Sequence, residues 1–108
     1  MGIKKFKDLE RGHFLWFITP NPNTLQPEAQ FMVVDDVIPL PEKDYVNIIA
    51  YRTSKEILDK FHDHNKIPRI TLKRIRKEDT SVIALLNSLP VPFFTTANEC
   101  RQFALSRR

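Results

Sequence analysis

The chain has 108 residues, of which 42% are apolar and 10% aromatic, enough to build one compact core in a single domain spanning residues 1–108. Its two glycines, Gly2 and Gly12, are too few for a glycine-rich phosphate loop, so nucleotide hydrolysis of the P-loop or Rossmann kind is not expected. The single cysteine cannot form an internal disulfide, no secretory leader pattern is present, and no apolar run approaches the roughly 20 residues of a membrane span, so we expect a soluble cytoplasmic protein.

The net charge of +4 is unevenly distributed along the chain. Residues 12–51 carry five acidic side chains and one lysine, whereas residues 66–77 carry six basic side chains and no acid. The basic residues of that stretch are Lys66, Arg69, Lys73, Arg74, Arg76 and Lys77. Because such a concentration of positive charge attracts anions, the stretch is the predicted contact site for a protein or nucleic-acid partner.

Three strands are predicted in the first half of the chain. Phe14–Ile18 is a nearly continuous apolar and aromatic run, and residues 21–28, rich in proline and asparagine, form a loop. Residues 30–38 resume the strand pattern, with the adjacent acids Asp35 and Asp36 marking a bend or bulge. Residues 45–53 alternate with apolar side chains on both faces, which predicts a central position in the sheet.

The next segment predicts a short helix followed by an edge strand. Thr53 and Glu56 have the spacing of a capping box, and Ile57, Leu58 and Phe61 fall on one helical stripe behind them. Residues 69–77 alternate apolar and basic side chains, which is typical of an edge strand whose outer face is cationic.

The last third of the chain ends in a capped helix. Apolar residues from Val82 to Leu89 follow helical spacing, which predicts a helix, although a short strand accommodates the same run. Phe93 and Phe94 form a brief strand, and Thr96 and Glu99 have capping-box spacing that opens the C-terminal helix. We therefore predict an α+β fold: a small curled antiparallel sheet or SH3-like barrel with two or three short helices, the C-terminal helix packed on the sheet.

Cys100 is the one residue whose chemistry invites a reactive role. In a helix beginning near Thr96 it shares a stripe with Phe103 and Ala104, which predicts a buried, inert thiol. The alternative is a thiolate nucleophile or redox sensor beside Arg101, but an activating histidine must then come from elsewhere in the fold.

Other catalytic and metal-binding patterns are weak. His62 and His64 form an H-x-H that serves one ion only in extended backbone, and on a helix the two rings point apart, which favours a polar helix end without metal. Neighbouring acids such as Asp35 and Asp36 face opposite sides of a strand, so they do not form a catalytic pair. We predict no catalytic residues, no metal site and no cofactor.

Two segments resemble small accessory proteins encoded by phages and other mobile elements. Residues 12–18, GHFLWFI, resemble the opening strand of an SH3-like β segment, and Phe93–Thr96 with Glu99, Cys100, Ala104 and Leu105 resemble a closing strand that runs into a capped helix. Together the two segments cover under a third of the chain. The resemblance implies an accessory, non-enzymatic role and supplies no active-site residues.

We accordingly predict a non-enzymatic binding protein that contacts a protein partner or larger assembly through the basic stretch. If the chain is phage-encoded, it would be a virion component or an inhibitor of a host factor, located in the host cytoplasm or the virion. A nucleic-acid-binding module using the same surface is the second hypothesis. An enzyme or metal protein ranks third, because no set of groups converges in sequence on a known chemistry.

Overall fold

The structure, a computed structural model, describes residues 4–53, 55–60 and 63–107, without the side chains of residues 55, 56 and 64. Its strands are β1 (Phe14–Pro20), β2 (Pro27–Pro39), β3 (Tyr45–Tyr51), β4 (Arg69–Arg76), β5 (Ser81–Leu86) and β6 (Leu89–Phe94). The helices are α1 (Lys55–Lys60) and α2 (Ala97–Ser106), and Phe6–Asp8 and His64–Lys66 form single 3₁₀ turns.

The six strands form one antiparallel sheet in the order β4-β3-β2-β1-β6-β5, and the sheet curls into a nearly closed barrel. The small curled antiparallel sheet predicted from the sequence is therefore confirmed. β3 lies between β2 and β4, as its two apolar faces predict. The predicted bulge at Asp35 and Asp36 is also present, since the register of β2 against β3 shifts between Val34 and Asp36.

The barrel interior is filled by inward-facing side chains from all six strands. Residues from the N-terminal segment join them: Phe6 and Leu9 are buried in the same core although neither belongs to a strand. The Phe6 N–H donates to the Asp79 carbonyl at 2.9 Å and the Lys7 N–H to the Lys77 carbonyl at 3.0 Å, which fastens the segment to the turn after β4. The N-terminal segment thus contributes to closing the barrel core.

A second, smaller core lies where the α1 region covers the sheet. It contains Val33, Tyr51, Leu58 and Ile67, with Phe14 packed against them. Leu58 comes from α1 and is buried as its predicted stripe requires, whereas Ile57, predicted on the same stripe, is 46% exposed. The predicted capping box of Thr53 and Glu56, and the place of Phe61 on the stripe, lie outside the described residues.

The C-terminal helix packs on the sheet as predicted, against β1, β2 and β6. The Thr96 hydroxyl accepts a hydrogen bond from the Glu99 N–H at 3.3 Å, which confirms Thr96 as the N-cap. The Glu99 carboxylate instead accepts from the Thr80 hydroxyl at 3.2 Å. A tertiary contact has therefore replaced the second half of the predicted capping box.

The prediction of a helix over residues 82–89 is wrong, because residues 81–86 form β5. Val82, Ala84 and Leu86 are partly buried against the core, whereas the residues between them are exposed, which is the period of a strand. Asn87 and Ser88, with φ of 53° and 67°, form a two-residue turn between the paired residues Leu86 and Leu89. Two consecutive left-handed residues suit a tight hairpin, and this turn makes β5 and β6 antiparallel neighbours.

Pro90 and Pro92 lie inside β6. Both pair with β5, opposite Leu85 and Ile83, whereas β1 pairs only with Phe93 and Phe94. Two residues apart, the prolines direct their nitrogen atoms to the same side of the strand. β1, the strand on the side away from β5, pairs with neither proline, so the missing N–H groups remove no hydrogen bond between strands.

Candidate interaction surface at the open edge of the barrel

β4 carries most of the basic stretch and forms one end of the sheet, as its alternation predicts. Leu72 and Ile75 are buried in the barrel core, which turns Thr71, Lys73 and Arg76 to the outside, where they are exposed. No backbone hydrogen bond joins the described residues of β4 to those of β5, the other end of the sheet. The two free edges therefore face each other across the one place where the barrel is not closed.

A bulge in β4 brings two consecutive cations to the surface. The register against β3 shifts so that Lys73 and Arg74 lie opposite Asn47 alone. Arg74 has a φ of 55°, and its backbone N–H donates to the Asn47 side-chain oxygen at 3.0 Å. Its guanidinium carbon lies 4.8 Å from the centre of the Tyr45 ring. A left-handed arginine costs about 1 kcal/mol, and the Asn47 hydrogen bond and the Tyr45 contact help to offset that cost.

Arg69, by contrast, is engaged within the fold. Its Nε lies 3.5 Å from the Asp35 carboxylate, its guanidinium donates to the Asn65 side chain at 3.2 Å, and it stacks 5.0 Å from the centre of the Tyr51 ring. Asp35 also lies 3.5 Å from Arg11 and accepts a hydrogen bond from the Tyr51 hydroxyl at 3.1 Å. Its side chain is only 13% exposed. Asp35 is thus the centre of a small polar cluster that joins β2, β3 and β4.

The two ends of the basic stretch are set apart from its middle. Lys66 is exposed in the 3₁₀ turn before β4. Lys77 follows β4 and is half-buried, and its N–H donates to the Asp44 carbonyl at 2.9 Å. The structure therefore brings together Lys73, Arg74 and Arg76 as one exposed group, and we call these three residues the cationic edge.

Arg69 and Lys73 are expected to respond differently to charge reversal. Arg69→Glu places a second carboxylate beside Asp35 and removes the stacking on Tyr51, so it should lower the free energy of unfolding by about 1–3 kcal/mol. Lys73→Glu, at an exposed position with no described ion pair, should change it by less than about 0.5 kcal/mol. Urea denaturation of the two variants measures this difference. Equal effects would contradict the conclusion that Arg69, unlike Lys73, is held by contacts within the fold.

An acidic residue beyond the cationic edge is already neutralised. The Lys5 and Lys7 ammonium groups lie 2.7 and 2.8 Å from the two oxygens of Glu78. Hydrogen bonds from Lys5 and Lys7 lower the pKa of the Glu78 carboxyl to about 2. Both Glu78 carboxylate oxygens are therefore already paired with cations of the N-terminal segment.

Exposed aliphatic side chains lie on the opposite edge. Ile83 and Leu85, on the outer face of β5, are 69% and 70% exposed, and Leu89, after the hairpin turn, is 66% exposed. Residues 80–98 contain no charged side chain. We call Ile83 and Leu85 the aliphatic ridge; Leu89 pairs with Leu86, which packs on the core, so it belongs to the inner face of the hairpin and not to the ridge. Large aliphatic side chains exposed together are a recognised mark of an interaction site.

The aliphatic ridge is not predicted from the sequence, because helical spacing places these residues on the buried stripe of a helix. Two signals were available: the uncharged stretch of residues 80–98, and Asn87-Ser88 as turn residues between two apolar runs. A hairpin exposes one face of each strand, whereas the predicted helix would have buried the same residues. The correction of the secondary structure therefore also changes the predicted surface.

The groups with catalytic interest do not converge. The Cys100 side chain is fully buried, as predicted, and burial raises the pKa of its thiol to about 11. Asp36 accepts a hydrogen bond from the neighbouring Val37 N–H at 2.8 Å, whereas Asp35 belongs to the polar cluster. Within the described residues, no group of three or more histidine, cysteine or acidic side chains is arranged to hold a metal ion. The predicted H-x-H involves His62 and the His64 ring, which lie outside the described part of the chain.

None of the described helices is long and apolar enough to cross a bilayer. Comparisons with family models, curated proteins and solved structures found no match to this chain. The surface must therefore be interpreted from its own geometry and charge.

Proposed function

We propose that the chain is a non-enzymatic binding protein that contacts another macromolecule through the cationic edge and the adjoining aliphatic ridge. One observation carries this proposal: Lys73, Arg74 and Arg76 are exposed on a free sheet edge, and none of them forms an ion pair with a described carboxylate. Arginines and lysines that form no ion pair within the fold are available to an anionic surface.

A protein partner accounts for more of this surface than a nucleic acid does. Ile83 and Leu85 offer aliphatic area, which suits protein side chains better than phosphates. Nucleic-acid strands are usually held by cations together with aromatic rings that stack on bases. In this fold the rings contact other side chains of the chain instead: Tyr45 stacks with Arg74, and Phe14, Trp16 and Phe31 pack on one another on β1 and β2. A protein partner therefore uses more of the surface than a nucleic acid would.

Nucleic-acid binding is the second candidate function, and the density of cations on β4 favours it. Neutralisation of phosphates by lysine and arginine gives affinity without sequence readout, and that affinity falls steeply as salt rises. We include in the first proposal that the chain is a phage-encoded, SH3-like accessory protein. This part rests on the resemblance of residues 12–18, 93–96, 99, 100, 104 and 105 to small accessory proteins of phages and mobile elements.

Charge reversal of the cationic edge is expected to abolish partner recovery while the fold remains intact. In the variant with Lys73→Glu, Arg74→Glu and Arg76→Glu, each substitution replaces an exposed cation and removes no described ion pair. Affinity should fall at least about tenfold, because three attractive charges become repulsive. Copurification from source cells with the tagged chain, with and without nuclease, followed by mass spectrometry, measures the effect.

A matched control reverses three other cations with the same change in net charge: Lys60, which is exposed, and Arg101 and Arg107, which stack on Trp16 and Phe103 as Arg74 stacks on Tyr45. This control should retain the partner. Nuclease-resistant, stoichiometric recovery of a protein supports the first candidate, and nuclease-sensitive recovery supports the second. Equal recovery by wild type and the cationic-edge variant would show that the binding surface lies elsewhere.

A further inference from the structure

A groove runs between the free edges of β4 and β5. It has a volume of about 400 Å³, and Lys73 and Arg74 line it on one side and Ile83 and Leu85 on the other. Leu72 and Ile75 from β4, with Val82 and Ala84 from β5, also line it and are packed in the barrel core. The two edge strands make no described backbone hydrogen bonds to each other. Peptide N–H and C=O groups along the groove are thus available to an extended chain.

The two sides of this groove differ in chemistry and are complementary to different ligand side chains. The β4 side is cationic, and no described carboxylate pairs with Lys73, Arg74 or Arg76. The β5 side belongs to a stretch of the chain, residues 80–98, without a single charge. A ligand complementary to both sides therefore combines acidic groups with aliphatic ones.

A second groove extends the apolar side. It has a volume of about 440 Å³ and lies between β5, β6 and α2, where Ile83, Pro92, Phe94 and Phe103 line it. Ile83 lines both grooves, so its side chain separates one from the other. Aliphatic side chains that reach over Ile83 from the first groove enter a mainly apolar site in the second, where Glu99 and Gln102 also line the wall and disfavour an acidic side chain.

We infer that the partner bound at this surface is a protein segment rich in acidic and aliphatic residues, which lies in extended form along the groove between β4 and β5. This inference rests on the proposed function and names the chemistry of its partner. The acidic side chains lie against Lys73 and Arg74, the aliphatic ones cover Ile83 and Leu85, and backbone groups pair with the free strand edge, the mode by which extended peptides add to sheets.

A second copy of the chain fits this surface less well than such a segment. A two-fold contact brings the same residues of two copies together, so the cationic edges would repel each other. A single-stranded nucleic acid satisfies the cations and leaves Ile83 and Leu85 uncovered. The experiment that follows distinguishes an acidic and aliphatic protein segment from a second copy of the chain and from a single-stranded nucleic acid.

Selection of a displayed library of random twelve-residue peptides on the immobilised full chain tests the inference. We expect enriched peptides to carry both acidic and aliphatic residues. An enriched peptide, synthesised and labelled, should bind the wild-type chain and lose at least about tenfold in affinity to the variant with Ile83→Ser and Leu85→Ser. It should lose as much to the cationic-edge variant.

Leu25→Ser is the matched control, because Leu25 is 77% exposed and lines neither groove. This variant should bind the peptide as the wild type does, and the thermal unfolding of all variants should match. Failure to enrich any peptide, or peptides that bind equally without Ile83 and Leu85, would overturn the inference. So would concentration-dependent association of the chain that is lost on substitution of Ile83 and Leu85.

A labelled oligothymidylate of twenty nucleotides completes the experiment. Binding of this oligonucleotide that depends on the cationic edge but not on Ile83 and Leu85, with no enriched peptide, would overturn the inference and leave the proposed surface in place. If copurification is instead unaffected by charge reversal of the cationic edge, the proposed function itself fails. The two failures are therefore distinguishable.

Discussion

Phe6→Ala should destabilise the fold by about 3–5 kcal/mol, a large part of the 5–15 kcal/mol that typically separates a folded domain from its unfolded chain. Phe6 is 0% exposed and is among the largest fully buried side chains of the barrel core. Removal of its ring leaves a cavity that the surrounding strands cannot close, because they are fixed by their pairing. Equilibrium urea denaturation gives the difference directly.

Leu25→Ala serves as the control, because Leu25 is 77% exposed and its truncation should change the free energy of unfolding by less than about 0.5 kcal/mol. If Phe6→Ala costs no more than this control, the N-terminal segment does not belong to the core.

The elements with strong local signals were predictable. β3 alternates with apolar residues on both faces, and it lies inside the sheet. β4 alternates apolar with basic residues, and it lies at an end of the sheet. Thr96 has the side chain and the spacing of an N-cap, and it caps α2. In each case residues next to one another in the chain determine the outcome, so no knowledge of the tertiary fold is needed.

β5 was mispredicted because a short apolar run satisfies two periods at once. Val82, Leu86 and Leu89 match helical spacing, and Val82, Ala84 and Leu86 match strand spacing. The turn at Asn87 and Ser88 decides between them, because it allows β6 to pair with β5. Pairing of this kind supplies the hydrogen bonds that the predicted short helix would have had to form within itself.

The candidate site was predictable only in part, for a similar reason. The concentration of basic residues in 66–77 is visible in the sequence, but its division depends on contacts with distant residues. Arg69 is held by Asp35 across the sheet, and Arg74 is exposed by a bulge that Asn47 of β3 stabilises. The neighbouring aliphatic ridge comes from β5, and the near closure of the barrel brings that edge beside β4.

Alkylation of Cys100 by iodoacetamide should be at least about a hundredfold slower in the folded chain than in the urea-unfolded chain at the same neutral pH. The thiol is fully buried, and its sulfur lies 3.5 Å from the Phe17 carbonyl, to which it donates. Burial raises the pKa of Cys100 to about 11, which alone lowers the reactive thiolate fraction about a hundredfold against an ordinary cysteine.

The pH dependence gives a second measurement on the same residue. Because the pKa of Cys100 is higher in the folded chain, the neutral thiol favours the folded state. That contribution is complete below the pKa of the unfolded thiol and is lost as the pH rises towards about 11. The free energy of unfolding should therefore fall with pH in this range more for the wild type than for Cys100→Ser, which cannot titrate. Rapid labelling of the folded chain at neutral pH, or identical pH profiles of the two proteins, would contradict the burial of Cys100 and reopen a reactive role for it.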